Sequence, residues 1–139
     1  MAAVSVAGIC VEQGMILLGK RVSGGSMGDR WEFPGGKMDE IDISPQAALR
    51  REFYEELELE VIVGECIAVG EFMHKGLPRR LEAYLVRPAE QGISLRSLPL
   101  HEHVQFSWVP CHQVTGYHLA DSDRGILDQV LSAINCSNT

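Results

Sequence analysis

The chain has 139 residues, of which 45% are hydrophobic and 22% are charged, and its formal net charge is −7. This length and composition predict a single domain over residues 1–139, with a sizeable core and no apolar run of the roughly 18 residues that a membrane span needs. The negative charge argues against a nucleic-acid polymer as partner, and a polyanionic substrate would need metal ions to approach such a surface.

The N-terminal third of the chain is predicted to be mainly β-structure. It alternates apolar and polar residues and is rich in Val and Ile, which is typical of strands and not of a signal peptide. A Gly-Gly turn follows Pro34, and Arg21 stands at the end of the second strand. The predicted strands are residues 4–11, 15–20 and 31–33.

A helix is predicted from Pro45 to Leu57. Ser44 suits the N-cap, and proline suits the first helical position because the N–H that it lacks would have no partner there. Leu49, Phe53 and Leu57 stand at i, i+4 and i+8 and form an apolar stripe.

Three glutamates share one face of this helix. Glu52, Glu55 and Glu56 stand at i, i+3 and i+4, where like charges oppose helix formation slightly. Oxygen ligands at this density suit a hard cation such as Mg²⁺, with Mn²⁺ as a substitute. A solvated acidic face is the plainer alternative, but the upstream Gly-Gly turn favours a metal or phosphate site, because glycine lets the backbone approach such a ligand closely.

Residues 33–59 resemble the Nudix box. The family pattern is Gly, five residues, Glu, seven residues, then Arg-Glu-apolar-any-Glu-Glu-any-Gly-apolar. The matching positions, in order, are Gly36, Arg51, Glu52, Phe53, Glu55, Glu56 and Leu59.

The chain departs from this pattern at two positions. Counted back from Arg51, the first Glu position falls on Ile43, and the loop from Gly36 is one residue longer, so that either Asp42 replaces this Glu or nothing does. The Gly of the pattern is Glu58, where a left-handed backbone would cost a non-glycine residue about 1 kcal/mol, which leaves room for a different helix end.

The resemblance implies a Nudix-type α/β/α sandwich with a mixed sheet between helices. It also implies Mg²⁺ bound by oxygen ligands, and the implied ligands are the Gly35 carbonyl, Glu52, Glu55, Glu56 and Glu102. Glu102 is included because it precedes Trp108 by six residues, as a metal-reaching Glu does in MutT-like members. Glu52 and Glu102 are the candidates for the general base, and Arg51 is expected to orient the glutamate face by pairing with a carboxylate.

The residues assigned to substrate binding are Arg21, Phe33 and Asp123. In MutT-like members an Arg at a strand end contacts the nucleotide, and an Asn or Asp just inside the last helix bonds the base edge. Asp123 is equally explained as a first-turn acid favoured by the helix dipole. The resemblance also implies a substrate contact from one of Arg79 and Arg80.

The C-terminal half is predicted to contain three strands and a final helix. The predicted elements are strands at residues 61–72, 79–86 and 104–109 and a helix from Asp123 to Ile134. Asp121 or Ser122 is a plausible N-cap of that helix. The four cysteines, with no C-x-x-C pair, are expected to be reduced thiols in a cytoplasmic protein.

The function implied by the resemblance is hydrolysis of a nucleoside triphosphate to monophosphate and pyrophosphate. An oxidised purine nucleotide such as 8-oxo-dGTP, or a cytidine triphosphate, is the expected substrate. The alternatives are ADP-ribose, a dinucleoside polyphosphate, or a nucleotide-binding module without activity. The expected partner is a nucleotide, without a nucleic-acid polymer or a membrane, and the sequence leaves a monomer and a homodimer open.

Overall fold

The computed structural model describes residues 3–21, 30–90 and 104–136. The elements of the described chain are β1 (Ala3–Ile9), β2 (Val11–Glu12), β3 (Met15–Arg21), β4 (Trp31–Glu32), β5 (Gly35–Lys37), α1 (Pro45–Leu57), β6 (Val61–His74), β7 (Leu77–Pro88), β8 (Val104–Pro110) and α2 (Asp121–Ala133). A 3₁₀ segment, Cys111–Gly116, follows β8 and precedes α2. None of the helices in these ranges has the length and apolar character to cross a membrane.

The strands form two groups. The first has the order β5-β1-β7-β6, in which β1 runs parallel to β7 and antiparallel to β5. The second has β3 at its centre, paired antiparallel with β2, β4 and β8. The predicted mixed sheet is therefore confirmed.

Two cores lie on opposite sides of the strands. Because neighbouring side chains of a strand point to opposite faces, Val6 joins the core under α1 while Ala7 joins the core under α2. The first core contains Phe53 from α1, and the second contains Ile126 and Val130 from α2. One helix on each side of the strands gives the α/β/α sandwich that was predicted.

Helix α1 has the predicted bounds and the predicted cap. Ser44 has an extended backbone, and its Oγ accepts a hydrogen bond from the Ala47 N–H at 3.0 Å. The apolar stripe of Leu49, Phe53 and Leu57 is buried. Local sequence signals therefore specify the start and the buried face of this helix.

The helix ends in a left-handed residue although that residue is not glycine. Glu58 has φ 52° and ψ 36°, and its N–H bonds the Tyr54 carbonyl. The backbone thus keeps the conformation that the glycine of the box pattern favours. Leu59, which follows directly, is buried in the α1 core, and this burial explains why the chain turns here.

Replacing Glu58 by glycine is expected to raise the free energy of unfolding by about 1 kcal/mol, since glycine adopts the left-handed region without a steric cost. Chemical denaturation measures the change. Glu60→Gly is the matched control, because Glu60 is also exposed but lacks a positive φ, so glycine should destabilise the protein there. Equal changes in both variants would contradict a strained cap at Glu58.

Helix α2 begins at Asp121, two residues before the predicted start, and the predicted capping role of Asp121 or Ser122 is wrong. The residue before the helix is Ala120, which makes no side-chain cap. Its N–H instead bonds the Trp31 carbonyl at 2.8 Å. A main-chain contact with β4 therefore positions the helix start, and Asp121 forms an ion pair with Arg30 at 3.0 Å.

The expectation of four reduced thiols is wrong for two of them. Cys111 and Cys136 form a disulfide with a Cα–Cα distance of 6.0 Å, while Cys10 and Cys66 are free. The 25 residues that separate the pair in sequence give no spacing signal, and the bond depends on the end of β8 meeting the end of α2.

Candidate active site

A cavity of about 400 Å³, called the central cleft below, lies between α1, β1, β5 and the start of α2. Its acidic end is formed by Gly36, Asp39 and Glu52. The opposite end is formed by Phe33, Ser122 and Asp123. The wall of the cleft also includes Lys37, Phe72, His74 and Leu81.

Gly36 and Glu52 are in direct contact at the acidic end. A Cβ atom on Gly36 would stand 2.6 Å from both Cδ and Oε1 of Glu52, so any larger residue there would force the Glu52 carboxylate to move. Gly35, one residue earlier, passes so close to β1 that a Cβ would collide with the Val6 carbonyl oxygen. The Gly-Gly pair therefore lets β5 lie between β1 and the carboxylate of α1.

The Glu52 side chain is only 16% exposed. Burial raises the pKa of Glu52, against the opposing effect of the neighbouring Arg51 guanidinium. A carboxylate with a raised pKa beside a cleft is a suitable proton acceptor, because proton transfer works best when the pKa approaches the working pH.

Arg51 connects the box loop to the glutamate face. Its Nε and Nη2 bind the two oxygens of Asp42 at 3.0 and 2.8 Å. Its Nη1 bonds Glu52 Oε1 at 3.1 Å and Glu55 Oε1 at 3.2 Å. The Lys37 carbonyl accepts a further bond from Nη2 at 3.2 Å.

Asp42, and not Ile43, turns its side chain towards α1 from the box loop. Ile43 is 91% exposed, while the Asp42 side chain is 5% exposed. The Arg51 guanidinium holds the pKa of Asp42 below its usual value, with help from the Asp39 N–H. In the described structure, Asp42 therefore supports Arg51 and is not part of the wall of the central cleft.

Asp123 is the buried acid of the opposite end, with only 5% exposure. Its Oδ2 accepts a hydrogen bond from the Phe33 N–H at 2.8 Å, and Ser122 Oγ donates to its Oδ1 at 3.0 Å. Burial raises the pKa of Asp123 to about 7, and the charge of Glu32 adds to this rise. The Asp123 side chain thus holds the Phe33 main chain by a hydrogen bond and also carries a titratable proton at the cleft.

The structure brings together only part of the predicted site. Glu52, Phe33 and Asp123 line the central cleft. Glu55 lies on the same helix face, more exposed and bound to Arg51. Arg21 ends β3, but its side chain lies outside the described residues, as does the whole of Glu102. Glu56 is half-buried on α1.

Sequence reasoning did not find Lys37, Phe72, His74 and Leu81 as residues of the cleft. Gly35 and Gly36, which were predicted as a turn, instead form strand β5 with Lys37, because they pair with β1. The position of Lys37 directly after them was the available signal. The other three lie on β6 and β7, and only the pairing of β7 with β1 brings these strands to the cleft.

The proposed metal ligands agree with Mg²⁺ in chemistry, because all are oxygen donors, and the missing Cβ of Gly36 lets the Glu52 carboxylate lie against β5. Among the residues that the structure describes, no three His, Cys, Asp or Glu side chains converge to hold a metal. Glu52 and Glu55 point to Arg51 in this arrangement. A metal would therefore have to share or displace these contacts.

Comparisons with known proteins give a consistent result. A family model described as "NUDIX domain" matches residues 1–130. The chain is 35% identical over 127 residues to the CTP pyrophosphohydrolase of Escherichia coli K12, covering 91% of this chain and 90% of that protein. It is 31% identical over 135 residues to the putative 8-oxo-dGTP diphosphatase 2 of Mycobacterium tuberculosis H37Rv, covering 95% and 90%.

Solved structures show the same fold. The solution structure of the E. coli ORF135 protein has a TM-score of 0.78 and 31% identity, with 96% of this chain and 91% of that chain covered. The crystal structure of a MutT protein from Methanosarcina mazei Go1 has a TM-score of 0.73 and 23% identity, with 98% and 96% covered.

Proposed function

Because the chain belongs to the NUDIX family, and is thus a hydrolase acting on phosphoric anhydride bonds, we propose that it cleaves a nucleoside triphosphate to the monophosphate and pyrophosphate. The observation that carries this proposal is the central cleft, which has Glu52 against Gly36 at one end and the buried Asp123 at the other. One end suits phosphate chemistry and the other suits recognition of a base.

We propose a cytidine triphosphate or an oxidised purine nucleotide such as 8-oxo-dGTP as substrate. The similarity to a CTP pyrophosphohydrolase of E. coli and to a putative 8-oxo-dGTP diphosphatase of M. tuberculosis supports these two choices. Asp123 supports base recognition, because a carboxyl group with a pKa of about 7 can donate or accept a hydrogen bond at neutral pH. Phe33 and Arg21 complete the proposed nucleotide contacts. A cytoplasmic location, where such nucleotides are used, is part of this proposal.

We propose Mg²⁺ as the cofactor, held by the Gly35 carbonyl, Glu52, Glu55, Glu56 and Glu102. When bound, the ion would lower the pKa of a water molecule and stabilise charge on the pyrophosphate oxygens. Glu52 and Glu102 are the candidates to accept the proton of the attacking water. Arg51 would hold Glu52 and Glu55 in orientation from outside the reaction, since it binds both of them and is itself fixed by Asp42.

This division of roles predicts that Arg51→Ala lowers kcat less than Glu56→Gln does. The first change loosens the glutamate face, whereas the second removes a charged ligand from it. Steady-state kinetics of both variants measure the difference, and circular dichroism checks that each is folded. Equal losses in two folded variants would show that Arg51 acts directly on the substrate or its metal.

A non-catalytic nucleotide-binding module is the second candidate. The observation that favours it is the altered box loop, in which Ile43 is exposed and Asp42 is engaged by Arg51. Such a module would bind nucleotides with Mg²⁺ and release no product.

The test is incubation with Mg²⁺ and a panel of nucleotides, measuring phosphate and pyrophosphate separately. The panel contains the common nucleoside and deoxynucleoside triphosphates, 8-oxo-dGTP, ADP-ribose and diadenosine polyphosphates. We expect pyrophosphate from CTP or 8-oxo-dGTP, lost in Glu56→Gln. Turnover confined to ADP-ribose or dinucleotides would overturn the substrate class, and binding without turnover would establish the binding module.

A further inference from the structure

A second cavity, of about 380 Å³, lies beside the central cleft at the β6–β7 hairpin. We call its four basic side chains, Lys37, His74, Lys75 and Arg79, the basic groove. Lys37 and His74 line both cavities, so the groove continues directly from the central cleft. Its other walls are formed by Ala3, Leu77 and Pro78.

The concentration of positive charge in the groove contrasts with the rest of the chain. The protein has a net charge of −7 and three lysines, and two of these lysines line the groove. Neither Lys37 nor Lys75 forms an ion pair with a described residue. Positive groups gathered on an acidic protein attract an anion to that place.

Arg79 is held in position without being neutralised. Its guanidinium donates to Ser5 Oγ at 3.1 Å and to the Val4 carbonyl at 3.2 Å, and neither acceptor is charged. The next residue, Arg80, instead pairs with Glu82 at 2.7 Å. Of the two arginines, Arg79 therefore keeps its charge available to an anion.

The charges of the groove act on His74. Partial burial lowers the pKa of this histidine, and the positive charges of Lys37, Lys75 and Arg79 lower it further. Each of these three charges is thus close enough to His74 to disfavour its protonated form. A bound anion would offset this effect.

The turn itself does not require a lysine. Lys75 and Gly76 have φ values of 52° and 78°, a pair of left-handed residues at the centre of a two-residue hairpin turn. Asn-Gly is the favoured sequence for such turns. The turn conformation does not favour lysine at position 75, so we look to the charge of Lys75 for its role.

We propose that the basic groove binds the terminal phosphates of a polyphosphate substrate, and the pyrophosphate that is released from it. The assignment rests on the proposed function. The base would lie near Asp123 and the cleaved bond near Glu52 and Gly36. The tail would then pass Lys37 into the groove, where it would lie beside Leu77 and Pro78.

The test uses inorganic tripolyphosphate and pyrophosphate as ligands in calorimetric titrations, which need no turnover. Lys75→Asn removes the charge and creates the favoured Asn-Gly turn, so it is expected to fold at least as well as the wild type. We expect its dissociation constant for tripolyphosphate to rise about tenfold, as for the loss of one charge-assisted contact, and its affinity for a nucleoside monophosphate to stay unchanged. Arg79→Gln should show the same pattern.

Arg87→Gln is the matched control, because it removes one exposed positive charge from the far end of the same strand. Equal tripolyphosphate affinity in the wild type and Lys75→Asn, or an equal loss in Arg87→Gln, would overturn the proposal. An effect confined to diadenosine tetraphosphate would also overturn it, by assigning the groove to a second nucleoside. Groove-dependent tripolyphosphate binding without turnover of any nucleotide would refute the proposed function and leave the groove assignment standing.

Discussion

Glu52→Gln is expected to lower kcat at least about a hundredfold while leaving the melting temperature nearly unchanged. Glutamine has the same size, so it fits against Gly36 as the carboxylate does. It can neither accept the proton of the attacking water nor supply a negative charge to the proposed metal site. The substitution should therefore lower kcat and leave the fold intact.

The Glu52→Gln substitution is not expected to destabilise the fold. Burial raises the pKa of Glu52, so the folded protein disfavours its ionised form. An uncharged glutamine removes this cost, and the remaining bonds from Arg51 to Asp42 and Glu55 are unaffected. Kinetics and thermal melts of the same preparation measure both properties, with Glu60→Gln as an exposed control. A loss in kcat below about tenfold would remove Glu52 from the reaction.

Asp123→Asn is expected to change the pH dependence of stability. The pKa of Asp123 is raised from 3.8 to about 7 in the folded protein. Well below pH 4 the Asp123 carboxyl group is protonated in both the folded and the unfolded protein, and its full contribution to the free energy of unfolding is present. As the pH rises from 4 to 7 the unfolded chain releases this proton first, so the wild type loses stability, by roughly 4 kcal/mol at most. Asparagine keeps an acceptor for the Phe33 N–H and does not titrate.

Urea unfolding of both proteins at pH 5, 6 and 7 measures this difference. Relative to the wild type, Asp123→Asn should gain about 2 to 3 kcal/mol between pH 5 and pH 7. Asp128→Asn is the matched control, because it makes the same change at an exposed position of the same helix. Parallel curves for the wild type and Asp123→Asn would show that Asp123 is ionised at ordinary pH in the folded protein.

Features that depend on residues close to one another in the sequence could be predicted. The bounds of α1 follow from Ser44, Pro45 and the apolar stripe, all within its own 13 residues and its cap. The start of α2 could not be predicted in this way, because the Trp31 carbonyl, about 90 residues away, binds the residue before it. The left-handed Glu58 likewise follows from the burial of Leu59 and not from its own preference.

The candidate site also combines features set by sequence neighbours with features set by distant residues. The glutamate face and the Gly-Gly pair are visible within the 22 consecutive residues from Gly35 to Glu56, whereas the basic groove is formed by residues far apart in sequence. The parallel pairing of Ala3 with Arg79 brings the N-terminal strand beside the hairpin. Asp123 was predicted near the base, but its bond to the Phe33 N–H, over 90 residues, was not. The Cys111–Cys136 disulfide depends on a similar distant contact.

The proposed hydrolysis is tested most directly by ³¹P NMR of the products from CTP and from 8-oxo-dGTP, with Mg²⁺, for the wild type and Glu52→Gln. We expect nucleoside monophosphate and pyrophosphate as the only products of the wild type, and starting material alone in the variant over the same time. Nucleoside diphosphate and phosphate as products, or equal turnover by both proteins, would contradict it.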